Sequence, residues 1–308
     1  MSPANVHASN IVASHTCTPY TLFSYHFQII KLSHFQIELM IPVAFDYQRA
    51  TTVEEAIAAL SNCDGKILAG GHSLLPAMKL RLNQPAKLVD ISKIDSLKGI
   101  REEDGEIVIG AGTTHGDIAS NDLIKSKLPF FAEAASWIGD VQVRNHGTIG
   151  GSLAHADPAA DWGALVLAAD AAIITQSSVT SRRIAATEFF QGLFTTALED
   201  GEIITEIRVP VPAEGTKTNY QKFSQPASRF AIVGCAVMKK PDGKTNIAFT
   251  GVSEAPFRDT AAESAASTDA AVAAAAEGMT IMGDHFASEE YRKHLAKVYL
   301  KKALQAVA

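Results

Sequence analysis

From Met40 onward, apolar and polar positions fall into short runs that predict a mixed structure. Val43–Tyr47 reads as a strand. Thr52-Val53-Glu54-Glu55 is a capping-box pattern, and a helix is predicted over Val53–Leu60 with Val53, Ile57 and Leu60 on one face. Strands are predicted at Lys66–Ala69 and Lys87–Ile91, then at Leu97–Arg101 and Glu106–Ile109 around an Asp104-Gly105 turn. Helical spacing returns near Thr114–Lys125 and Pro129–Ile138. A long loop follows, then a helix near Ala159–Ala168 and strands at Ala171–Thr175 and Ile203–Val209. Pro-Ala-Glu-Gly at 212–215 reads as a linker. Beyond it come strands near Asn219–Phe223, Ala231–Lys239 and Thr245–Gly251, and an alanine-rich helical tail from Asp259. Strict βαβ alternation is lacking, so the expected fold class is α+β rather than a doubly wound sheet.

Composition narrows the function. A chain of 308 residues suggests two domains. A net charge of −6 without a basic stripe argues against a nucleic-acid partner. Cys17, Cys63 and Cys235 are too few and too far apart for a disulfide framework, a zinc site or an iron–sulfur site, which points to a reducing compartment. Residues 1–39 differ from the rest: they carry only Lys31 and Glu38 as charges, yet hold His7, His15, His26 and His34. They match neither a secretory signal nor a transmembrane segment. They read as a non-domain extension, with Met40 as an alternative start.

Two glycine loops are the candidate chemistry. The first, Leu68-Ala69-Gly70-Gly71-His72-Ser73-Leu74-Leu75, leaves a strand and enters a short helix; the second is Arg144-Asn145-His146-Gly147-Thr148-Ile149-Gly150-Gly151-Ser152. Glycines there allow close approach and positive φ, so that backbone N–H groups and helix N-termini nest phosphate oxygens. Together the loops would grip both halves of a pyrophosphate. Neither is a P-loop. Gly110-Ala111-Gly112-Thr113-Thr114-His115 has a histidine where a dinucleotide fingerprint needs its third glycine. His146, His155, Asp157 and Asp161 match no compact metal spacing, and no G-x-S-x-G elbow is present.

At these loops the sequence resembles the FAD-binding (medium) subunit of molybdenum hydroxylases, of the carbon monoxide dehydrogenase medium-chain type. The resemblance runs through Ala69–Pro76, Leu88–Ile91, Gln142–Ser152, Ala156–Asp161 and Lys222–Arg229, and covers about 40–308. His72 fits the carbon monoxide dehydrogenase-like branch.

The resemblance implies an FAD-binding domain of the PCMH/VAO type in two lobes, residues 40–214. A small C-terminal domain, residues 215–308, would carry a three-stranded antiparallel sheet with helices. It implies that Ala69, Gly70, Gly71, His72, Ser73 and Leu74, with Thr148, Ile149, Gly150, Gly151 and Ser152, contact the FAD diphosphate and neighbouring atoms. Asp161 would bind the adenosine end, Ile204 would give an apolar contact and Lys222 a polar one near the flavin. No side chain is assigned as catalytic and no metal is expected on this chain; the chemistry belongs to the cofactor. The molybdenum cofactor would sit on a large partner subunit and two [2Fe–2S] clusters on a small one, in a dimer of heterotrimers. Electrons would pass from those clusters through FAD to an external acceptor. The expected location is the cytoplasm, or peripherally the inner face of the membrane. A stand-alone flavoenzyme of the same fold and a scaffold without flavin are the alternatives.

Overall fold

The computed structural model describes residues 40–61 and 64–308. The expectations on residues 1–39 and on Cys63 lie outside the described residues. Residues 40–43 and 77–84 make up a small unit of their own, in which the Arg81 and Leu82 amides close turns on the Met78 and Ala77 carbonyls (3.0 and 2.9 Å). Residues 44–76 and 85–308 form the main body.

The first lobe is a small parallel sheet. Its strands are β1 (Asp46–Arg49), β2 (Gly65–Leu68) and β3 (Lys87–Asp90), in the order β1-β3-β2. The helix Val53–Leu60 starts where its cap predicts: the Thr52 hydroxyl accepts from the Glu55 amide at 3.1 Å. The Glu55 carboxylate, however, accepts from the amide and hydroxyl of Thr51 (2.7 and 2.8 Å), one residue upstream of a regular capping box. Val53, Ala56 and Ile57 pack on Val89 and Ile91. Strict strand–helix alternation, absent from the chain as a whole, does hold in this lobe.

The second lobe is antiparallel. It contains β4 (Ile100–Glu103), β5 (Glu106–Gly110), β6 (Ala172–Gln176), β7 (Ser181–Ala185), the short hairpin β8 (Phe190–Gly192) and β9 (Thr195–Thr196), and β10 (Ile203–Pro210). The main sheet runs β4-β5-β10-β6-β7. Asp104 and Gly105 both take positive φ (51° and 78°), as the tight β4–β5 turn demands. The segment between β5 and β6 forms six helices: His115–Ser120, Asp122–Lys127, Pro129–Trp137, Val141–His146, Ile149–His155 and Asp161–Ala168.

The C-terminal sheet has the three expected antiparallel strands, β11 (Lys217–Ser224), β12 (Ala231–Lys239) and β13 (Thr245–Thr250), plus a two-residue fourth strand, β14 (Phe257–Arg258). Residues 231–238 of β12 are buried throughout, because both faces are covered. Ala236 and Met238 pack with Trp162 and Leu165, while Val233, Cys235 and Val237 pack with Leu295 and Leu300 of the helix Glu289–Ala306. The helix Asp161–Ala168 is buried at all eight positions, which explains its apolar composition on every side. Among the described residues no helix is long and apolar enough to cross a membrane.

Candidate functional site

The two glycine loops meet. A Cβ on Gly70 would lie 2.1 Å from the His146 carbonyl oxygen and 2.8 Å from Gly147 Cα, so only glycine permits the approach. His72 reinforces the junction: its Nε2 is 3.3 Å from the Gln142 carbonyl, and its ring stands edge-on to His146 with centroids 5.6 Å apart. Ala69 Cβ lies 3.8 Å from the Cβ position of Gly151.

The loops differ in what they offer a ligand. In the first, the amides of Gly70, Gly71, His72 and Ser73 have no acceptor among the described residues, and the loop is half-buried to exposed. Four successive free N–H groups form a concave donor surface suited to an anion. The second loop is largely satisfied from within. Ile149 and Gly150 donate to the Thr113 and Ala111 carbonyls (3.1 and 2.9 Å), and Gly151 and Ser152 donate to the hydroxyl and carbonyl of Thr148 (3.1 and 3.0 Å). Only the Thr148 amide is left without an acceptor among the described residues of this loop. The amides without a protein acceptor therefore lie mainly in the first loop, and the second, paired within the protein, stands beside it as a wall. The helices that follow, Leu74–Lys79 and Ile149–His155, have six and seven residues. The donors left without a protein acceptor are loop amides rather than a long helix N-terminus.

Gly110-Ala111-Gly112 supports that wall, with Ala111 held by the Thr205 carbonyl (2.9 Å) and accepting from Gly150. It follows an antiparallel strand, which removes the dinucleotide-fingerprint reading. The four residues weighed as metal ligands also have other roles: Asp157 accepts from the Ala159 amide (2.8 Å), His155 stacks on Phe194, His146 faces His72, and Asp161 is paired internally.

Asp161 and Lys222 form one feature rather than two. Lys222 Nζ donates to Asp161 Oδ2 at 2.9 Å, with side-chain exposures of 1% and 5%. Tyr220 donates to Asp161 Oδ1 at 2.5 Å. Burial pushes the Asp161 carboxyl up, and the ammonium and phenol pull it back. Burial and the adjacent carboxylate push the Tyr220 phenol well above its ordinary value, so it remains a donor. The two residues expected to meet different parts of the cofactor are thus in direct contact with each other. Ile204 is buried in β10 and packs in the core.

With this geometry in view, the comparisons are decisive. The family described as "FAD binding domain in molybdopterin dehydrogenase" matches residues 43–212, and "CO dehydrogenase flavoprotein C-terminal domain" matches 218–307. The chain belongs to this molybdopterin dehydrogenase flavoprotein family. It is 40% identical over 285 residues to the carbon monoxide dehydrogenase medium chain of Hydrogenophaga pseudoflava, covering 87% of this chain and 98% of the relative. It is 38% identical over 282 residues to the glyceraldehyde dehydrogenase medium chain of Sulfolobus acidocaldarius, covering 87% of this chain and all of the relative. A solved carbon monoxide dehydrogenase from Hydrogenophaga pseudoflava, lacking the Mo-pyranopterin moiety of its cofactor, superposes with a TM-score of 0.84 at 41% identity over 87% of this chain and 98% of that one.

Two residues beside the loops, Arg144 and His115, were given no individual role from the sequence. Arg144 folds back to donate from Nη1 to the Ile138 and Gly139 carbonyls (both 3.0 Å), fixing the approach to the second loop. His115 packs on Gly147, where a Cβ would lie 2.8 Å from its Nε2. Its place in an imperfect glycine motif was the only available signal.

Proposed function

We propose that this chain is the FAD-binding medium subunit of a molybdenum-containing hydroxylase, with residues 40–214 as the FAD domain and 215–308 as the C-terminal domain. The observation that carries the reading is the run of amides from Gly70 to Ser73 that have no acceptor among the described residues, in a half-buried to exposed loop beside the wall of Thr148–Ser152. A dinucleotide diphosphate is an anion of the kind such a run binds, and no lysine or arginine is required. The buried Asp161–Lys222–Tyr220 group is a preset polar block that would face one portion of the cofactor rather than both ends.

FAD, when bound, supplies the redox chemistry that no side chain here can provide. The polypeptide contributes binding and orientation. The loop amides hold the diphosphate, the Thr148 cap fixes the wall, and the surrounding backbone limits how far the cofactor can shift.

We infer that electrons arrive from [2Fe–2S] clusters on a small partner and originate at a molybdenum cofactor on a large one, in a dimer of heterotrimers. The support is the medium-chain status of relatives named for carbon monoxide and for glyceraldehyde. Medium chains named for two different substrates support the reading that another subunit selects the substrate. The scarcity of cysteine favours the cytoplasm, with peripheral attachment at the inner membrane face as part of the proposal. The test is co-purification: molybdenum, iron and FAD should elute with this chain and two partners. A flavoprotein free of metal and partners would refute the assembly.

A further inference from the structure

The His115 ring lies where the two glycine loops join. Its backbone amide donates to the Gly147 carbonyl at 2.9 Å, and its imidazole occupies the space that a Cβ on Gly147 would fill. Gly147 Cα in turn lies 2.8 Å from the Cβ position of Gly70, at the start of the free-amide run. On its other side, His115 Nδ1 accepts from the indole N–H of Trp162 at 3.1 Å. An indole can only donate, so Nδ1 must be the unprotonated nitrogen and the proton of the neutral ring resides on Nε2. That N–H has no acceptor among the described residues, although the residue is only 5% exposed. Unlike Arg292 Nε, His115 Nε2 is not sealed from solvent, so its N–H is open to water or to an anion that the loops hold.

We propose that His115 is a further cofactor-binding residue, donating from Nε2–H to the diphosphate held between the two loops, with Trp162 acting as the positioning residue that fixes its tautomer. The proposal rests on the FAD reading above and adds a ligand-facing side chain to it. It also explains why the ring stays neutral: burial, with His72 and Arg144 nearby, lowers its pKa to about 4. A neutral donor in a fixed tautomer keeps the same hydrogen bond across the physiological range. A role limited to satisfying Trp162 would use Nδ1 alone and would be indifferent to cofactor.

The test uses the full chain, titrated with FAD and separately with ADP, the diphosphate-bearing fragment. Wild type should bind both. His115→Phe should weaken both by the same factor, about 10- to 100-fold for one hydrogen bond to a charged group. His115→Gln, which restores a donor, should recover most of that loss. In 15N-histidine-labelled wild type, His115 should show the Nε2–H tautomer, and that resonance should move when FAD is added. Trp162→Phe should release the tautomer preference and weaken FAD without removing the histidine. Unchanged FAD affinity in a folded His115→Phe, an Nδ1–H tautomer, or a resonance indifferent to FAD would each overturn the proposal. Failure of wild type to bind FAD would instead overturn the functional reading on which it stands.

Discussion

Lys222 Nζ and Asp161 Oδ2 meet at 2.9 Å in the interior, joined by the Tyr220 hydroxyl on the other carboxylate oxygen. Both charges are cut off from water, so the pair is worth most as a unit. Lys222→Met should cost about 3–5 kcal/mol, because it leaves a buried carboxylate without its counter-ion. Combining it with Asp161→Asn should recover much of that loss. Urea denaturation of the single and double variants measures the coupling.

The glycines should separate structural from ligand effects. Gly70→Ala places a methyl group 2.1 Å from the His146 carbonyl, so it should destabilise the fold and lose FAD together. A Cβ on Gly151 meets only Thr148 Oγ1 at 2.9 Å and Ala69 Cβ at 3.8 Å, and the residue is exposed. Gly151→Leu should therefore keep the melting temperature within a few degrees and still expel FAD. Flavin absorbance per folded protein, read beside circular dichroism, checks both.

Stability should fall with acid in a window set by His115. Burial, with His72 and Arg144 nearby, lowers its pKa from 6.5 to about 4, so between those values the unfolded chain binds the proton and the folded chain does not. The contribution is fully present above pH 6.5 and is lost as pH falls toward 4. Its size is about 3 kcal/mol at 1.36 kcal/mol per pH unit. Denaturation midpoints of apo wild type from pH 7 to 4 should decline more steeply than those of His115→Phe.

Glu202 makes a parallel case. Its side chain is 1% exposed, and it accepts from Thr175 Oγ1 and the Glu199 amide, both at 2.8 Å, and from Arg182 Nε at 2.7 Å. Burial raises its pKa, but Arg182 and the other donors outweigh that and hold the carboxyl below 4.5. The stabilisation is present above that value and disappears as pH falls further. Arg182→Leu should cost about 1–3 kcal/mol by removing one charged partner, read as a lower urea midpoint at pH 7.

Long periodic segments were legible in the sequence. The helix Val53–Leu60 and the strand Ala231–Lys239 lie where their patterns predict, the helix because it buries one regular face and the strand because it is a continuous apolar run buried on both. The strand Ser181–Ala185 was not legible, because Arg182 and Arg183 break its apolar alternation, and their partners are distant in sequence, Glu202 just before β10 and Glu106 at the start of β5. The expected long loop conceals Val141–His146 and Ile149–His155. Both are held by side-chain caps, Asp140 on the Val143 amide and Thr148 on the Gly151 amide (2.9 and 3.1 Å), amid residues of low helix propensity. The glycine loops were visible as motifs. Which of them keeps free donors depends on Thr113 and Ala111, whose carbonyls reach the second loop only through tertiary packing. The Asp161–Lys222 pair spans sixty-one positions, and no local pattern joins its halves.

Flavin content is the most direct measurement of whether this chain is an FAD-binding subunit. The full chain, purified with any partners that accompany it, should carry FAD in equimolar amount, released by acid and restored by adding FAD back. A folded chain that is colourless as isolated and does not take up added FAD would contradict that reading.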